Sequence, residues 1–231
     1  MRILSGAVGL FGLLAAFAAF TLGDNFLYLV SGAALLCALT TSMAARISAF
    51  MKIFIAIFST ETIVFGLAVL LLHADKWPDR LKDFTPPDSL PLTVAMFSIL
   101  CYVVSRLRVM QEPLRIADLY FTNRDRGSAR IWPFSAFVAP ERRIAVAMIT
   151  ALVLINQAQV AITVRLSFFN RDWFNAIQNK DAATFWKLLF SVFVPWAFVY
   201  IASAIIEFVL QSMLVIRWRR WLTDFYVSHW L

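Results

Sequence analysis

Six stretches of this sequence run almost unbroken in apolar residues: 3–22, 26–44, 50–72, 90–105, 144–164 and 186–216. A helix crossing a hydrocarbon layer of roughly 30 Å needs about 20 mostly apolar residues. Five runs meet that length; the fourth is shorter and opens at Pro91. The runs are continuous rather than alternating, and a helix satisfies its own backbone in lipid, so spanning helices are predicted rather than barrel strands. The expected fold class is therefore all-α, a polytopic transmembrane helical protein of about six spans.

The segments between the runs carry their own patterns. From 106 to 122, Leu107, Met110, Leu114, Ile116, Leu119 and Tyr120 give an incomplete helical stripe broken at Pro113, and 123–127 reads as a turn. Residues 131–137 are aromatic and apolar. A short helix lying in the membrane interface just before the fifth span is one reading of this stretch, and an irregular linker is the other. From 165 to 187, Phe168, Phe169, Trp173, Phe174 and Ile177 recur at near-helical spacing beside a polar side, which predicts an interfacial helical elbow. Asp181 suits the N-cap of the sixth span. Between Ala182 and Trp230 the only strong break is Pro195, so this helix is expected to outrun the bilayer and project beyond it. The predicted organisation is a four-helix membrane region over 1–105, a linker and elbow over 106–140, and a further membrane domain from 141 to 231.

Composition agrees with lipid as the solvent. Apolar residues make up 61% and charged residues 15%, against about 45–50% and about 25% in soluble domains. The 22 Phe and 8 Trp fit interfacial anchoring. A net charge of +7 does not mark a nucleic-acid surface, because Lys and Arg sit beside the apolar runs instead of forming one basic face. With the N-terminus inside, Arg2, Arg46, Lys52, the eight arginines from Arg106 to Arg143, and Arg217, Arg219 and Arg220 face the cytoplasm. That leaves only Lys76, Arg80, Lys82, Arg165, Arg171, Lys180 and Lys187 outside. The excess predicts both termini in the cytoplasm of a multi-pass protein of the cytoplasmic (inner) membrane. Residues 1–18 also fit a cleavable signal peptide, which would remove the first span and leave the remaining topology unchanged.

Candidate chemistry is sparse. Glu207 falls inside the sixth run and Glu61 inside the third. Ionisable groups at such depth usually face a bundle interior or wet cavity. Two readings of Glu207 stand: a group lining a translocation cavity that binds a proton or a cationic substrate, or a protonated acid bonded to a neighbouring helix. For Glu61 the structural reading is favoured. Asn156, Gln157 and Gln159, midway along the fifth run, either line a polar path or bind helix to helix, the second being favoured. Cys37 and Cys101 lie in separate apolar runs and predict neither a disulfide framework nor a metal site. His73 and His229 read as solitary, and no nucleophile–base arrangement stands out. No catalytic or metal-ligating residue is expected.

Two stretches carry a resemblance. FNRDWFNAIQ at 169–178, followed by a span and then IRWRRWLTDFYVSHWL at 216–231, resembles the SbmA/BacA-related ABC transporters, in particular their fused permease–ATPase branch. The aromatic and Pro–Glu segment around 134–141 resembles the elbow preceding the first permease helix of that group. The likeness covers about 133–231. It implies an exporter-like (type 1) permease of six helices per subunit, working as a dimer with two ATPase domains that bind ATP and Mg. The fifth and sixth runs correspond to its first two helices. Asn170, Arg171 and Asp172 are the family-motif residues of the outer segment and are expected to fix the elbow. Arg217, Trp218, Arg219 and Trp221 belong to the inner one, where interfacial anchoring, with anionic lipid as an extra ligand, accounts for them. No G-x-x-x-x-G-K-[ST] loop occurs, since Gly127, the last glycine, is followed by Ser128–Ala129. The chain is thus expected to hydrolyse no ATP itself. It reads as a truncated product, a fragment of a longer gene or one piece of a split transporter, with an ATPase subunit in trans or a second copy as partner. The implied solutes are peptides, cobalamin-like molecules or acyl compounds; a membrane scaffold without transport activity is the alternative.

Overall fold

The computed structural model describes residues 1–78, 85–123, 126–129 and 137–230. The chain divides into two compact units, 1–123 and 124–231, and helices carry both.

The first unit holds α1 (Arg2–Leu22), α2 (Asn25–Met43), α3 (Ala49–His73), α4 (Leu90–Arg106) and α5 (Arg108–Thr122). α1 ends where Gly23 takes a left-handed conformation at φ 68°, which a glycine adopts without steric penalty. Asp24 then caps α2, its Oδ1 accepting the Phe26 N–H at 2.8 Å. The first two helices pack closely. Val8, Phe11 and Ala15 of α1 meet Val30, Ala34 and Cys37 of α2 in one buried cluster. A Cβ on Gly12 would lie 2.9 Å from Leu35, so this approach depends on the missing side chain. Ser31 Oγ donates to the Gly12 carbonyl at 2.8 Å and Ser5 Oγ to that of Ala38 at 2.9 Å, tying α1 to α2.

Polarity is inverted relative to a water-soluble bundle. Thr41 of α2, Ser59 of α3 and Ser98 of α4 are buried and joined in a line, with Ser59 Oγ 2.9 Å from the Thr41 hydroxyl and 3.0 Å from that of Ser98. Cys37 Sγ sits 3.5 Å from the same Ser59 oxygen. Glu61 and Thr62 are buried as well, whereas Leu10, Leu13, Phe17 and Phe20 project outward. This is the arrangement hydrocarbon demands, with hydroxyls bonding helix to helix inside and aliphatic and aromatic groups facing lipid. Among the described residues five helices are long and apolar enough to span a membrane, or six if α4 and α5, bent by 95° at Leu107, are taken together. The protein is a multi-pass membrane protein.

α5 departs from expectation. Pro113 lies inside the helix without ending it, and the segment predicted as part of a linker packs on the first unit through buried Leu114, Ala117, Tyr120 and Phe121. Its polar face does one further job. Asp118 Oδ1 accepts the Ser48 hydroxyl at 2.6 Å and the Phe50 N–H at 3.0 Å, so a carboxylate from α5 caps the start of α3.

The second unit opens with β1 (Arg126–Ala129) and β2 (Phe137–Pro140), antiparallel, with Gly127 opposite Ala139 and Ser128 opposite Val138. The predicted interfacial helix at 131–137 falls mostly outside the described residues, and its last residue, Phe137, begins β2 rather than continuing a helix. α6 (Glu141–Gln178), α7 (Ala182–Leu188) and α8 (Val194–Trp230) follow. The helical elbow predicted over 165–187 is narrower in the structure, since α6 continues as one 38-residue helix to Gln178 and the chain turns only at 179–181, ahead of α7. Neither Gly nor Pro interrupts that stretch. α6 stops only where Lys180 turns left-handed at φ 54°. Between α7 and α8 one π-helical turn, Leu189–Phe193, precedes Pro195. Proline offers no N–H to the carbonyl four residues back and its ring crowds that carbonyl; the wider turn relieves both conflicts, and the helix continues past it to Trp230.

Asp118→Ala should destabilise the first unit by about 1–2 kcal/mol through loss of the α3 cap, whereas Asp118→Asn, which keeps the accepting oxygen, should lose much less. Thermal unfolding of the purified chain in detergent measures both.

Candidate functional site

α6 and α8 pack along one another, with Ile144 and Met148 of α6 against Leu210, Met213 and Leu214 of α8. Further along, the apolar pattern gives way to three polar side chains. Asn156 and Gln159, three residues apart, share a face of α6, and Glu207 approaches from α8. Asn156 Nδ2 donates to Glu207 Oε1 at 2.8 Å, and Gln159 Nε2 donates to Oε2 at 2.8 Å. Each carboxylate oxygen therefore holds one amide donor. Gln159 and Glu207 are half-buried and Asn156 is exposed. Gln157, half-buried, is turned about 100° from Asn156 by the helical pitch.

The chemistry of this triad follows from counting hydrogen-bond sites. An ionised carboxylate accepts at about four positions, and bonds to a charged group are worth about 1.5–3 kcal/mol each. Two amides orient the group and offset part of its desolvation without neutralising it. Among the described residues no Lys, Arg or His forms an ion pair with Glu207. The remaining lone pairs suit a proton or a cationic group. Glu61 belongs to the first unit and is buried there.

Near the start of α6 the second unit holds a bidentate ion pair. Arg217 Nε donates to Glu141 Oε1 at 2.8 Å and Nη2 to Oε2 at 2.6 Å, a bidentate fork, while Nη1 reaches the Ser128 carbonyl at 2.8 Å. The two side chains are only 19% and 13% exposed. Any Cβ on Gly127 would collide with Glu141 Oε2, so glycine is required in β1 for the pair to close. Interfacial anchoring alone does not describe Arg217: it joins β1, the start of α6 and α8. Arg219 and Arg220 are exposed, and Trp218 and Trp221 are half-buried, with Trp221 stacked on Phe225 at 5.3 Å. Sequence reading passed over Glu141 as a partner; its place directly after Pro140, ahead of two arginines, was the available signal.

At the far end of α6, Asn170, Arg171 and Asp172 are exposed. Arg171 Nε bonds Asp172 Oδ1 at 3.1 Å, and its guanidinium lies over Phe168 at 5.6 Å. The aromatic residues between them hold this end together: Phe169 packs on Trp173 and Phe193, and Trp173 stacks on Phe185 at 5.2 Å. Asp181 caps α7 as expected, accepting the Thr184 N–H at 3.1 Å, and its bonds to Thr184 hold its carboxyl below the usual carboxylate range. His73, read as solitary, is not: Asp24 and Asp88, from distant points of the sequence, flank its ring.

Removing one member of a mostly buried ion pair costs more than replacing both. Arg217→Met alone and Glu141→Leu alone should each destabilise the second unit by about 3 kcal/mol, with the double variant near wild type; tryptophan-monitored unfolding in detergent tests the three variants together.

Residues 135–231 match a family described as ABC transporter transmembrane region 2. Among curated proteins, the chain is similar to the inner membrane ABC transporter ATP-binding protein YddA of Escherichia coli (strain K12), 35% identical over 71 residues. That match covers 31% of this chain and 12% of the relative. It is also similar to the chloroplastic ABC transporter D family member 2 of Arabidopsis thaliana, 34% identical over 121 residues, which are 51% of this chain and 14% of that protein. The chain thus corresponds to a small part of the length of either relative. No solved structure matches it significantly. The family match, which takes in both α6 and α8, and the two relatives support an ABC transporter membrane family for this chain.

Proposed function

We propose that this chain is a membrane component of an ABC-type transporter and that α6 and α8 line the path of its solute across the cytoplasmic membrane. Within that path Glu207 is the binding group for a proton or for a cationic part of the solute, oriented by Asn156 and Gln159. The observation that carries this reading is the placement of an acid with two amide donors and no cationic partner among the described residues, on helices inside the matched residues 135–231. A purely structural polar contact would serve as well with Gln or Asn at 207 and would avoid the expense of an ionisable group at this depth.

Energy would come from ATP and Mg bound on a domain or subunit outside this sequence, with either a second copy or an ATPase in trans as partner. The motifs at 169–178 and 216–231 favour the SbmA/BacA-related group, and so hydrophilic or peptide-like solutes. The arginine distribution favours cytoplasmic termini.

Co-purification of the chain with its ATPase partner and reconstitution into liposomes tests the reading. ATP-dependent uptake of labelled peptide, cobalamin or acyl-CoA is expected, and Glu207→Gln should lower it at least about tenfold, as for the loss of an interaction worth about 1.4 kcal/mol, with insertion into the liposomes unchanged. Equal uptake by the variant would remove Glu207 from the path, and absence of ATP-dependent uptake of any of these probes would favour a scaffold.

A further inference from the structure

The first unit holds a second cluster of titratable groups, outside residues 135–231 and independent of the transport reading. His73 is the last residue of α3. Its Nδ1 makes a short contact with Asp24 Oδ2, on the turn between α1 and α2, and its Nε2 lies 3.3 Å from Asp88 Oδ1, just ahead of α4. The ring stacks on Phe26 at 5.8 Å and 21°, and Phe26 in turn packs on the buried Ala19, Leu27 and Val69. Three chain segments that are far apart in sequence therefore meet at one imidazole. Asp75 and Lys76 follow His73 on its own strand of chain; neither the last turns of α1 nor the first turn of α2 adds a charge beyond Asp24.

Proton counting decides what holds them. Ionised carboxylates only accept hydrogen bonds, and a neutral imidazole has a single N–H, so it can donate to one of the two aspartates and must present a lone pair to the other. Only the imidazolium donates to both. We propose that Asp24, His73 and Asp88 form a proton-binding clasp that joins the α1–α2 turn to the start of α4 while the ring is protonated and releases Asp88 when it is not.

Each member has a distinct part. Asp24 uses its other oxygen to cap α2; the His73 contact and the Phe26 N–H hold its carboxyl below the usual carboxylate range, so it stays ionised in mild acid. Asp88 is 53% exposed, against 28% for Asp24, and is the partner that water can take over. A depressed carboxylate adds stability that is present above its unfolded value and lost as pH falls through the folded one, while the ring's contribution is lost as pH rises through its own titration. The clasp is closed between those limits. On deprotonation the Nδ1–H tautomer keeps Asp24 and loses Asp88. In the predicted topology the clasp faces the exterior, where acidity varies.

The chain has two histidines, so ¹⁵N-histidine labelling of the full protein in nanodiscs resolves the ring states, with His73→Gln assigning the signals. At pH 6 both His73 nitrogens should be protonated. As pH rises, loss of the Nε2 proton should coincide with a fall of several degrees in the unfolding midpoint. Asp88→Asn should flatten that stability profile, and Asp24→Asn, which retains a capping oxygen for α2, should lower the pH at which the ring loses its proton without unfolding the unit. A neutral His73 ring at pH 6, or an Asp88→Asn profile that follows wild type through the titration, would overturn the clasp.

Discussion

Hydrocarbon accepts and donates no hydrogen bonds, and most features of this protein answer to that fact. Backbone groups are satisfied within helices, and the polar side chains that remain at depth find one another. In the first unit the result is a line of hydroxyls, Thr41, Ser59 and Ser98, crossing three helices. In the second it is an acid held by two amides. The lines differ in consequence. Hydroxyls both donate and accept, so a chain of them closes on itself and acts as glue. A carboxylate flanked by amides keeps unused acceptor capacity, and that capacity is what the proposed transport role draws on.

Where the bilayer ends, the currency of stability changes from burial to capping and charge. Asp118 reaches from α5 to close the first turn of α3, and Asp181 does the same locally for α7. Arg217 and Glu141 bind the start of α6 to α8, with a strand carbonyl as third partner and a glycine making room. At the other kind of end, His73 gathers two aspartates. These contacts lie at helix ends because orphaned N–H and C=O groups concentrate there, and because charged side chains are affordable only near water.

The two ends of the α6–α8 pair are built differently. One is locked by a bidentate ion pair that is largely shielded from solvent; the other by stacked rings of Phe169, Trp173, Phe185 and Phe193. Ring stacking tolerates sliding, while a bidentate fork demands one geometry. Glu207 and its two amide partners lie between these ends.

Much of this architecture was legible in the residues alone. Apolar runs of spanning length require helices in lipid, so the spans, the Asp181 cap and the length of the last helix followed from local pattern. The pairing of interest was only half visible: Glu207 and Asn156–Gln159 stood out as polar interruptions, but 48 and 51 residues separate the partners, and no periodicity links the faces of two helices. The same limit hid the partners of His73 and Arg217, and it left α5 assigned to a linker although Tyr120 and Phe121 are buried in the first unit. The elbow predicted over 165–187 was too broad for another reason: polar residues signal the membrane surface, yet nothing in them ahead of Gln178 stops a helix. Sequence by itself determined which segments live in lipid, because that depends on the solvent preference of each stretch. Tertiary structure decided which polar groups meet, because a hydrogen bond depends on distances between residues that the chain order leaves free.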